Sequence, residues 1–129
     1  MEYQGDKKNG KAEGFGISFV VSGEFKGDRY EGEFGNGKFF GKGIYYHANG
    51  DKFEGEWKND YKNGKGIYYH ANGNRFEGYH KNGDRNGRGI FYWPNGSWRE
   101  GEYKDGKKHG KSIHHFADGQ IEEQIWENN

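Results

Sequence analysis

Apolar residues recur along this chain in short segments at a nearly constant spacing. Five isoleucines, Ile17, Ile44, Ile67, Ile90 and Ile113, are equally spaced except for a slightly longer first interval. Around each of them, aromatic and polar residues alternate over the length of one strand, as in Tyr30-Glu31-Gly32-Glu33-Phe34. Alternation with a period of two predicts β-strands that bury one face. The pattern therefore predicts a tandem array of short strands that is built from a repeat unit.

The chain divides into blocks with a period of about 23 residues, which is within the range typical of repeat proteins. The blocks align without gaps, apart from four extra residues near the end of the first, and we number the repeat positions from 1 within each block. Glycine occupies position 3 and position 12 of every block, and position 14 of every block except the last, where Ser112 stands. We expect residues 122–129 to form a partial repeat or a cap. The predicted repeats are residues 3–29, 30–52, 53–75, 76–98 and 99–121.

Turn sequences occur twice in each block and set the strand length. Asn36-Gly37 and Asn82-Gly83 belong to one series, and Asn49-Gly50 and Asn72-Gly73 belong to the other. Asn-Gly between alternating segments is a strong signal for a β-hairpin. Each repeat is therefore predicted to be one hairpin. The fold class is all-β, a single-layer, twisted antiparallel meander of about ten strands that forms an open trough.

The odd number of residues in the repeat constrains how the strands pair. Equivalent positions keep to one face only if one turn has an even number of loop residues and the other an odd number. Ala-Asn-Gly is expected to be a three-residue loop, and four residues around the other Asn-Gly are expected to form the even one. The extra residues of the first block should lengthen that hairpin by two residues in each arm. This register pairs position 1 with 16, position 3 with 14, position 4 with 13 and position 5 with 12.

The predicted pairs give the two faces different chemistry. On one face, large rings at position 5, such as Trp57, are expected to lie over the glycines of position 12. On the other face, Glu33, Lys42, Glu56 and Lys65 should form a cross-strand ladder of alternating charge. Exposed pairs of this kind contribute about 0.2–1 kcal/mol each and mainly fix the register.

Composition narrows the class of protein. Of the 129 residues, 29% are hydrophobic, 31% are charged, 20 are basic and 20 are acidic, and neither leucine nor cysteine is present. A chain without leucine has little from which to build an amphipathic helical core, and one without cysteine has neither disulfides nor thiolate zinc sites. The zero net charge removes the general attraction to nucleic acid. Because no apolar run approaches the length of a membrane-spanning helix, we expect a cytoplasmic protein.

The motifs that could indicate catalysis have simpler explanations in the repeat. Gly5 to Lys11 resembles a phosphate-binding loop, but Ala12 stands where such a loop requires serine or threonine. The six histidines do not have a metal-ligand spacing, because equivalent residues lie two strands, about 9.6 Å, apart. The glutamates at position 4 face lysines, which oppose the raised pKa that a general acid requires. We predict no catalytic residue, no metal and no cofactor.

The repeat resembles a known family. Phe53-Glu54-Gly55-Glu56-Trp57 and Gly64-Lys65-Gly66-Ile67-Tyr68 are similar to the two strands of a MORN repeat, and the similarity recurs in all five blocks. His80, in place of the aromatic residue at position 5, is one departure from the pattern. The resemblance implies a non-enzymatic scaffold or docking surface of the kind found in ciliary radial-spoke and other cytoskeletal assemblies. Lipid binding is also implied for some members.

One layer of sheet is expected to leave a stripe of rings partly exposed as a binding surface. The predicted ligand is a protein partner, either a helix or peptide or a second copy of the chain, and Trp57 is predicted to contribute most. The alternative is a peripheral membrane module that recognises phosphoinositides through Lys104, Lys107 and Lys108. The predicted partner-binding residues are Tyr30, Phe34, Tyr45, Phe53, Trp57, Tyr68, Phe76, Phe91 and Tyr103.

Overall fold

Alternating residues and Asn-Gly turns fold this chain into a single antiparallel sheet. The computed structural model describes residues 2–126, so positions 127–129 of the predicted C-terminal segment lie outside the described residues. The strands lie in the sheet in the same order as in the chain, so each strand pairs only with the strands before and after it in sequence. The strands are β1 (Glu2–Lys8), β2 (Lys11–Phe19), β3 (Arg29–Gly35), β4 (Lys38–Tyr46), β5 (Lys52–Lys58), β6 (Tyr61–Tyr69), β7 (Arg75–Lys81), β8 (Asp84–Tyr92), β9 (Trp98–Lys104), β10 (Lys107–His115) and β11 (Ile121–Trp126).

The predicted all-β meander is confirmed, with one strand more than the ten expected from five hairpins. β11 begins at Ile121, pairs with β10 along its length and supplies that strand with its second neighbour. The strand adds Trp126 to the same face as the other rings. The segment that the repeat pattern left open is therefore, as far as residue 126, a further strand of the same sheet.

The pairing between successive repeats follows the predicted register. Tyr45 lies opposite both Tyr30 on β3 and Phe53 on β5, and Gly43 lies opposite both Gly32 and Gly55. The same pairs recur at β6, where Tyr68 meets Phe53 and Phe76. Odd-plus-even loop parity is therefore confirmed, because equivalent positions stay on one face through the array.

Within each hairpin, the predicted register is wrong beyond position 3. Phe34 pairs with Phe39 instead of Gly41, because the turn has two residues rather than four. Asn36 and Gly37 have φ values of 53° and 83°, typical of the type I′ turn that matches the twist of a hairpin. The two surplus residues form a bulge on β4 opposite Glu33. Gly41 in that bulge has a φ of 63°, which explains the glycine at position 12.

The other turn has the predicted length. His47 N–H donates to the carbonyl of Asp51 at 2.8 Å and encloses the three-residue loop Ala48-Asn49-Gly50, in which Gly50 has a φ of 98°. In the first repeat, Val20 N–H donates to Asp28 O at 3.0 Å in the equivalent place. The four extra residues therefore enlarge the loop and leave the arms unchanged, contrary to the expected longer hairpin. An insertion of an even number of residues keeps every side chain on its face, whether the insertion lies in the loop or in the two strands.

The rings that lie on glycine are those of position 1, not position 5 as predicted. A Cβ atom added to Gly43 would overlap the Tyr30 ring, and one added to Gly66 would overlap Phe53. These glycines let the rings lie against the backbone of neighbouring strands. The exception is the last repeat, in which Arg99 stands at position 1 and Trp126, at position 5 of the following segment, lies over Gly101. We call this side of the sheet the ring face and the opposite side the isoleucine face.

A second layer of side chains covers the position 1 rings. Phe39, at position 10, stacks on Tyr30 with ring centroids 3.9 Å apart. In the next two repeats the position 10 residue is a cation, with Lys62 Nζ 4.5 Å from the Phe53 ring centre and Arg85 Cζ 3.9 Å from that of Phe76. The bulge causes this arrangement, because it brings position 10 opposite position 5. A single-layer sheet thus obtains a core on its ring face.

The charge ladder of the isoleucine face is made differently from the prediction. Lys42 lies opposite Glu56 as expected, but no ion pair forms between these side chains or between Lys65 and Glu56 in the described part of the chain. Instead, the Glu33 and Glu56 carboxylates accept the backbone N–H of Lys42 and Lys65 at 2.6 and 2.8 Å. The bulge frees those amides from the ladder, and the carboxylates satisfy them.

Candidate functional site

Six of the nine predicted partner-binding residues are buried in the sheet's own core. The core has two clusters, the first centred on Tyr30 and Phe53 and the second on Phe76. Because these rings are covered by neighbouring side chains, the expectation of an exposed stripe from Trp57 to Tyr103 is wrong. Burial gives these residues a structural role. The six buried residues are Tyr30, Phe34, Phe53, Trp57, Phe76 and Tyr103.

Trp57, which the sequence favoured as the main contact residue, is only 7% exposed. Its indole Nε1 donates to the carbonyl of Gly43 at 3.1 Å. Its ring meets Tyr30 and Phe53 at nearly right angles, with centroids 5.5 Å apart in both pairs. The side chain therefore uses both its apolar area and its polar atom inside the protein.

The three remaining predicted residues, Tyr45, Tyr68 and Phe91, are half-buried and lie along one border of the ring face. They occupy position 16 in successive repeats. Position 18, the first residue after the end of each strand, lies two residues further along on the same face and also carries a ring in every repeat from the second onward. Together these side chains form what we call the aromatic rim. The aromatic rim consists of Tyr45, His47, Tyr68, His70, Phe91, Trp93, His114 and Phe116.

Neighbouring rings of the aromatic rim are in contact along its whole length. Centroid distances alternate between 4.7–4.8 Å within a repeat, as from Tyr68 to His70, and 5.8–5.9 Å to the next repeat, as from His70 to Phe91. The series continues from Trp93 to His114 at 5.2 Å. The rim is therefore a continuous aromatic surface across four repeats, and its rings remain partly accessible.

Two carboxylates, the buried Asp28 and the half-buried Asp51, fix the first part of the aromatic rim. Tyr45 donates its hydroxyl to Asp28 Oδ2 at 2.7 Å, and Tyr68 donates to Asp51 Oδ2 at 2.8 Å. The other oxygen of each carboxylate accepts a backbone N–H from the following loop. Burial and the neighbouring Asp51 raise the pKa of Tyr68 to about 12, so its hydroxyl stays protonated as the donor. These bonds fix the orientation of both rings.

His80 is the internal departure from the repeat pattern, and it is buried between Phe53 and Phe76. Burial lowers its pKa to about 4, and the cations Lys62 and Arg85 contribute to the same shift. The imidazole is therefore neutral at pH 7 and acts as one of the core rings. We find no sign of a binding role for His80.

The three lysines of the lipid alternative lie together at one hairpin tip. Lys104 ends β9, Lys107 pairs with it at the start of β10, and all three side chains are exposed. Lys108 bends back so that its Nζ is 5.2 Å from the centre of the Trp126 ring. Only Lys104 and Lys107 therefore point away from the protein as a basic pair.

The sequence prediction overlooked the position 18 members of the rim. His47, His70 and Trp93 occupy position 18 of three successive repeats and share a face with position 16. The sequence analysis considered the histidines only as metal ligands, a role that it rejected, and did not use this recurrence as a signal for a binding surface. Over residues 2–126, no three histidine or carboxylate side chains come together in a way that could hold a metal ion. Nor does any helix long and apolar enough to cross a membrane occur in that range.

Comparison with known proteins places the repeats in a family. No curated protein sequence matches the chain. Among solved structures, the TCP domain of SAS-4 (dCPAP) of Drosophila melanogaster, in complex with a proline-rich motif of Ana2 (dSTIL), aligns with a TM-score of 0.44 and 17% identity, over 87% of this chain and 78% of that chain. The MORN repeat profile matches residues 3–18, 30–52, 53–75, 76–98 and 100–121. Because those matches span most of its length, the chain belongs to the MORN repeat family.

Proposed function

We propose that this protein is a non-enzymatic scaffold that binds a segment of a protein partner along the aromatic rim. The observation that carries the proposal is the continuity of the rim, eight rings in contact over four repeats and accessible along one side. Aromatic residues are enriched at protein interfaces because they offer a large contact area with few rotatable bonds. The rings at the start of the rim are already held by hydrogen bonds, which lowers the entropy cost of binding.

Membership of the MORN repeat family supports a scaffold function. We propose that the assembly is cytoplasmic. A cytoskeletal or ciliary complex is proposed on the strength of the family resemblance alone. The partner is a peptide, a helix or a second copy of this chain. Each of these three kinds of partner would contact the same accessible rings, and cross-linking distinguishes them.

Site-specific cross-linking tests this proposal. Benzoyl-phenylalanine replaces Tyr68 on the rim, and a matched variant carries it at Tyr79, which is 50% exposed on the isoleucine face. We expect irradiation in the cells that express the protein to give a discrete cross-linked product from position 68 and none from position 79. Mass spectrometry identifies the cross-linked peptide, and a product of two copies of this chain indicates a dimer.

A quantitative test follows with the identified partner. Trp93 belongs to the rim but to neither core cluster, so Trp93→Ala should weaken binding at least tenfold while the protein stays folded. Tyr79→Ala serves as the control and should change the affinity less than twofold. Equal affinity of the wild type and Trp93→Ala would exclude the rim as the contact surface.

The phosphoinositide alternative has weaker support. Lipid recognition typically requires four to eight clustered lysines or arginines, whereas the basic pair at the β9–β10 tip has two members that point outward. Its test is sedimentation with vesicles that contain phosphatidylinositol bisphosphate. Loss of sedimentation in a Lys104→Glu, Lys107→Glu and Lys108→Glu variant, together with the absence of any cross-link at position 68, would replace the scaffold function with a membrane one.

A further inference from the structure

A row of cations follows the ring face beside the aromatic rim. Position 10 carries Lys62, Arg85 and Lys108 in the last three repeats, and each places its charge over one or two rings. None of these side chains forms an ion pair with a carboxylate in the part of the chain that the structure describes. The protein is neutral overall, so this row is a local excess of positive charge.

The row ends in a pocket of about 260 Å³ near the C-terminal end of the sheet. Three cations line it, Arg85, Arg99 and Lys108, and its other walls are aromatic rings that include Trp93 and Trp126. No acidic side chain is among the described residues that line it. A carboxylate or another anion placed there would therefore meet three positive charges and no negative one.

The position of each cation leaves hydrogen-bond donors for a ligand. Arg99 uses Nε to donate to His114 Nδ1 at 3.2 Å, and its two terminal nitrogens have no hydrogen-bond acceptor among residues 2–126. Arg85 lies over two rings, with its Cζ 3.9 Å from the centre of the Phe76 ring and 5.4 Å from that of Tyr103. Guanidinium groups bind carboxylates with two parallel hydrogen bonds, and a partly dry aromatic surrounding strengthens such bonds. A cationic ligand is excluded, because the ring faces are already occupied by the protein's own cations.

We infer that this pocket binds an acidic side chain of a polypeptide partner, and that the rim selects partners in which acidic and aromatic residues are interspersed. The inference rests on the proposed scaffold function and names the chemical class of its partner. Position 10 cations of successive repeats lie two strands apart, about 9.6 Å. Three residues of a peptide in the polyproline II conformation rise about 9.3 Å and bring the side chain back to the same side. A peptide that runs across the strands would therefore meet a new cation at every third residue.

The aromatic walls favour a peptide over a membrane headgroup. Arg85 and Arg99 are half-buried on the ring face, whereas a bilayer requires cations that project from an exposed surface. The pocket also adjoins Phe91 and Trp93 of the aromatic rim. A peptide bound along the rim can insert an acidic side chain here without changing direction.

The test uses a pair of fluorescein-labelled decapeptides, Ser-Glu-Phe-Ser-Glu-Phe-Ser-Glu-Phe-Ser and its twin with glutamine in place of glutamate. Fluorescence anisotropy at low ionic strength should show that wild-type protein binds the glutamate peptide at least tenfold more tightly than the glutamine twin. The difference should shrink as salt is added. Equal affinity for the two peptides would overturn the inference, and this comparison requires no variant that must fold.

Variants then locate the site. Arg85→Gln, Arg99→Gln and Lys108→Gln together should reduce the affinity for the glutamate peptide at least tenfold. The matched control is Lys58→Gln, Lys81→Gln and Lys104→Gln, which removes the same charge from exposed side chains outside the pocket and should change the affinity less than twofold. Circular dichroism checks the fold of both. Similar losses in both variants would mean attraction to net charge rather than a site, and would overturn the inference.

Two further arms separate this inference from the alternatives. If vesicles containing phosphatidylinositol bisphosphate bind the wild-type protein and the glutamate peptide does not, the anion is a lipid headgroup and the inference is wrong. A partner that cross-links at position 68 while the glutamate peptide fails to bind would overturn the inference and leave the scaffold function standing. Binding of the glutamate peptide without any cross-link would support the pocket and contradict the scaffold function.

Discussion

Substitution of a single ring should reduce the free energy of unfolding by an amount that depends on whether other side chains cover that ring. Trp57→Ala would remove a buried indole and leave the Gly43 carbonyl without its donor. Removal of a large buried ring typically costs about 3–5 kcal/mol. We expect the free energy of unfolding, measured by urea denaturation, to fall by about 3 kcal/mol or more.

The control for this substitution is Tyr61→Ala, since Tyr61 is 58% exposed. Exposed substitutions usually change stability by about 0.5 kcal/mol or less. A loss at Trp57 no larger than the one at Tyr61 would mean that the indole is not part of the core.

His80 makes the stability of the fold depend on pH. Its pKa is lowered from 6.5 to about 4 in the folded protein, so the folded state favours the neutral ring. The resulting stability is fully present above pH 6.5 and is lost as the pH falls towards 4, because the unfolded state takes up the proton first. The contribution at stake is on the order of 2–3 kcal/mol.

His80→Phe should remove this dependence, since Phe34 occupies the same repeat position in the second repeat. We expect the stability of the variant relative to the wild type to rise by about 2–3 kcal/mol between pH 7 and pH 4, as measured by chemical denaturation at each pH. Because all other titrating groups are shared by the two proteins, their effect on stability cancels in the difference between the variant and the wild type. Parallel stability curves for the two proteins would contradict a buried neutral His80.

At the level of elements, the bulge on the second strand of each hairpin makes the glutamate at position 4 more important for stability than the lysine at position 13. Glu56 accepts the N–H of Lys65 at 2.8 Å in the bulge of β6, whereas the Lys65 ammonium is in no ion pair with Glu56. Glu56→Ala should therefore cost about 1–2 kcal/mol, because it leaves the amide without a protein partner. Lys65→Ala should cost less than about 0.5 kcal/mol.

This asymmetry distinguishes the bulge from the ladder of ion pairs that the sequence indicated. Thermal denaturation of both variants measures it, and Glu54→Ala, an exposed glutamate on the same strand, controls for the loss of a negative charge. Equal costs for Glu56→Ala and Lys65→Ala would favour the ion-pair ladder.

Across the whole molecule, the sheet is a chain of nearest-neighbour contacts. Each strand contacts mainly the strand before it and the strand after it, so stability is a sum of local interfaces. Trp126 closes the last interface by covering Gly101 and meeting the Tyr103 ring at 5.7 Å. Trp126→Ala should therefore loosen β9 to β11 and leave the central strands unaffected.

Hydrogen–deuterium exchange measures this difference strand by strand. We expect protection of β10 amides to fall at least tenfold in Trp126→Ala, while protection in β4 to β6 changes less than twofold. Uniform loss of protection along the chain would mean that the sheet unfolds as a single cooperative unit.

The amino-acid sequence alone determined the repeat, the strand faces and the pairing between repeats. These features follow from local signals that recur in every repeat, namely Asn-Gly or Asp-Gly turns and the alternation of aromatic and polar residues. The parity of the loops, which an odd period requires, was therefore correct. So was the placement of Tyr45, Tyr68 and Phe91 on the ring face, where they remain partly accessible.

Tertiary structure decided the length of the even turn, and with it the composition of the core. A two-residue turn with a bulge and a four-residue turn satisfy the same parity, so the pattern could not choose between them; the twist of the hairpin favours the two-residue turn. That choice moves position 10 over the position 1 rings, which buries Tyr30 and Phe53 and places Lys62 and Arg85 on the ring face. Coverage of a ring by a side chain from another strand is a non-local contact, and no local periodicity encodes it.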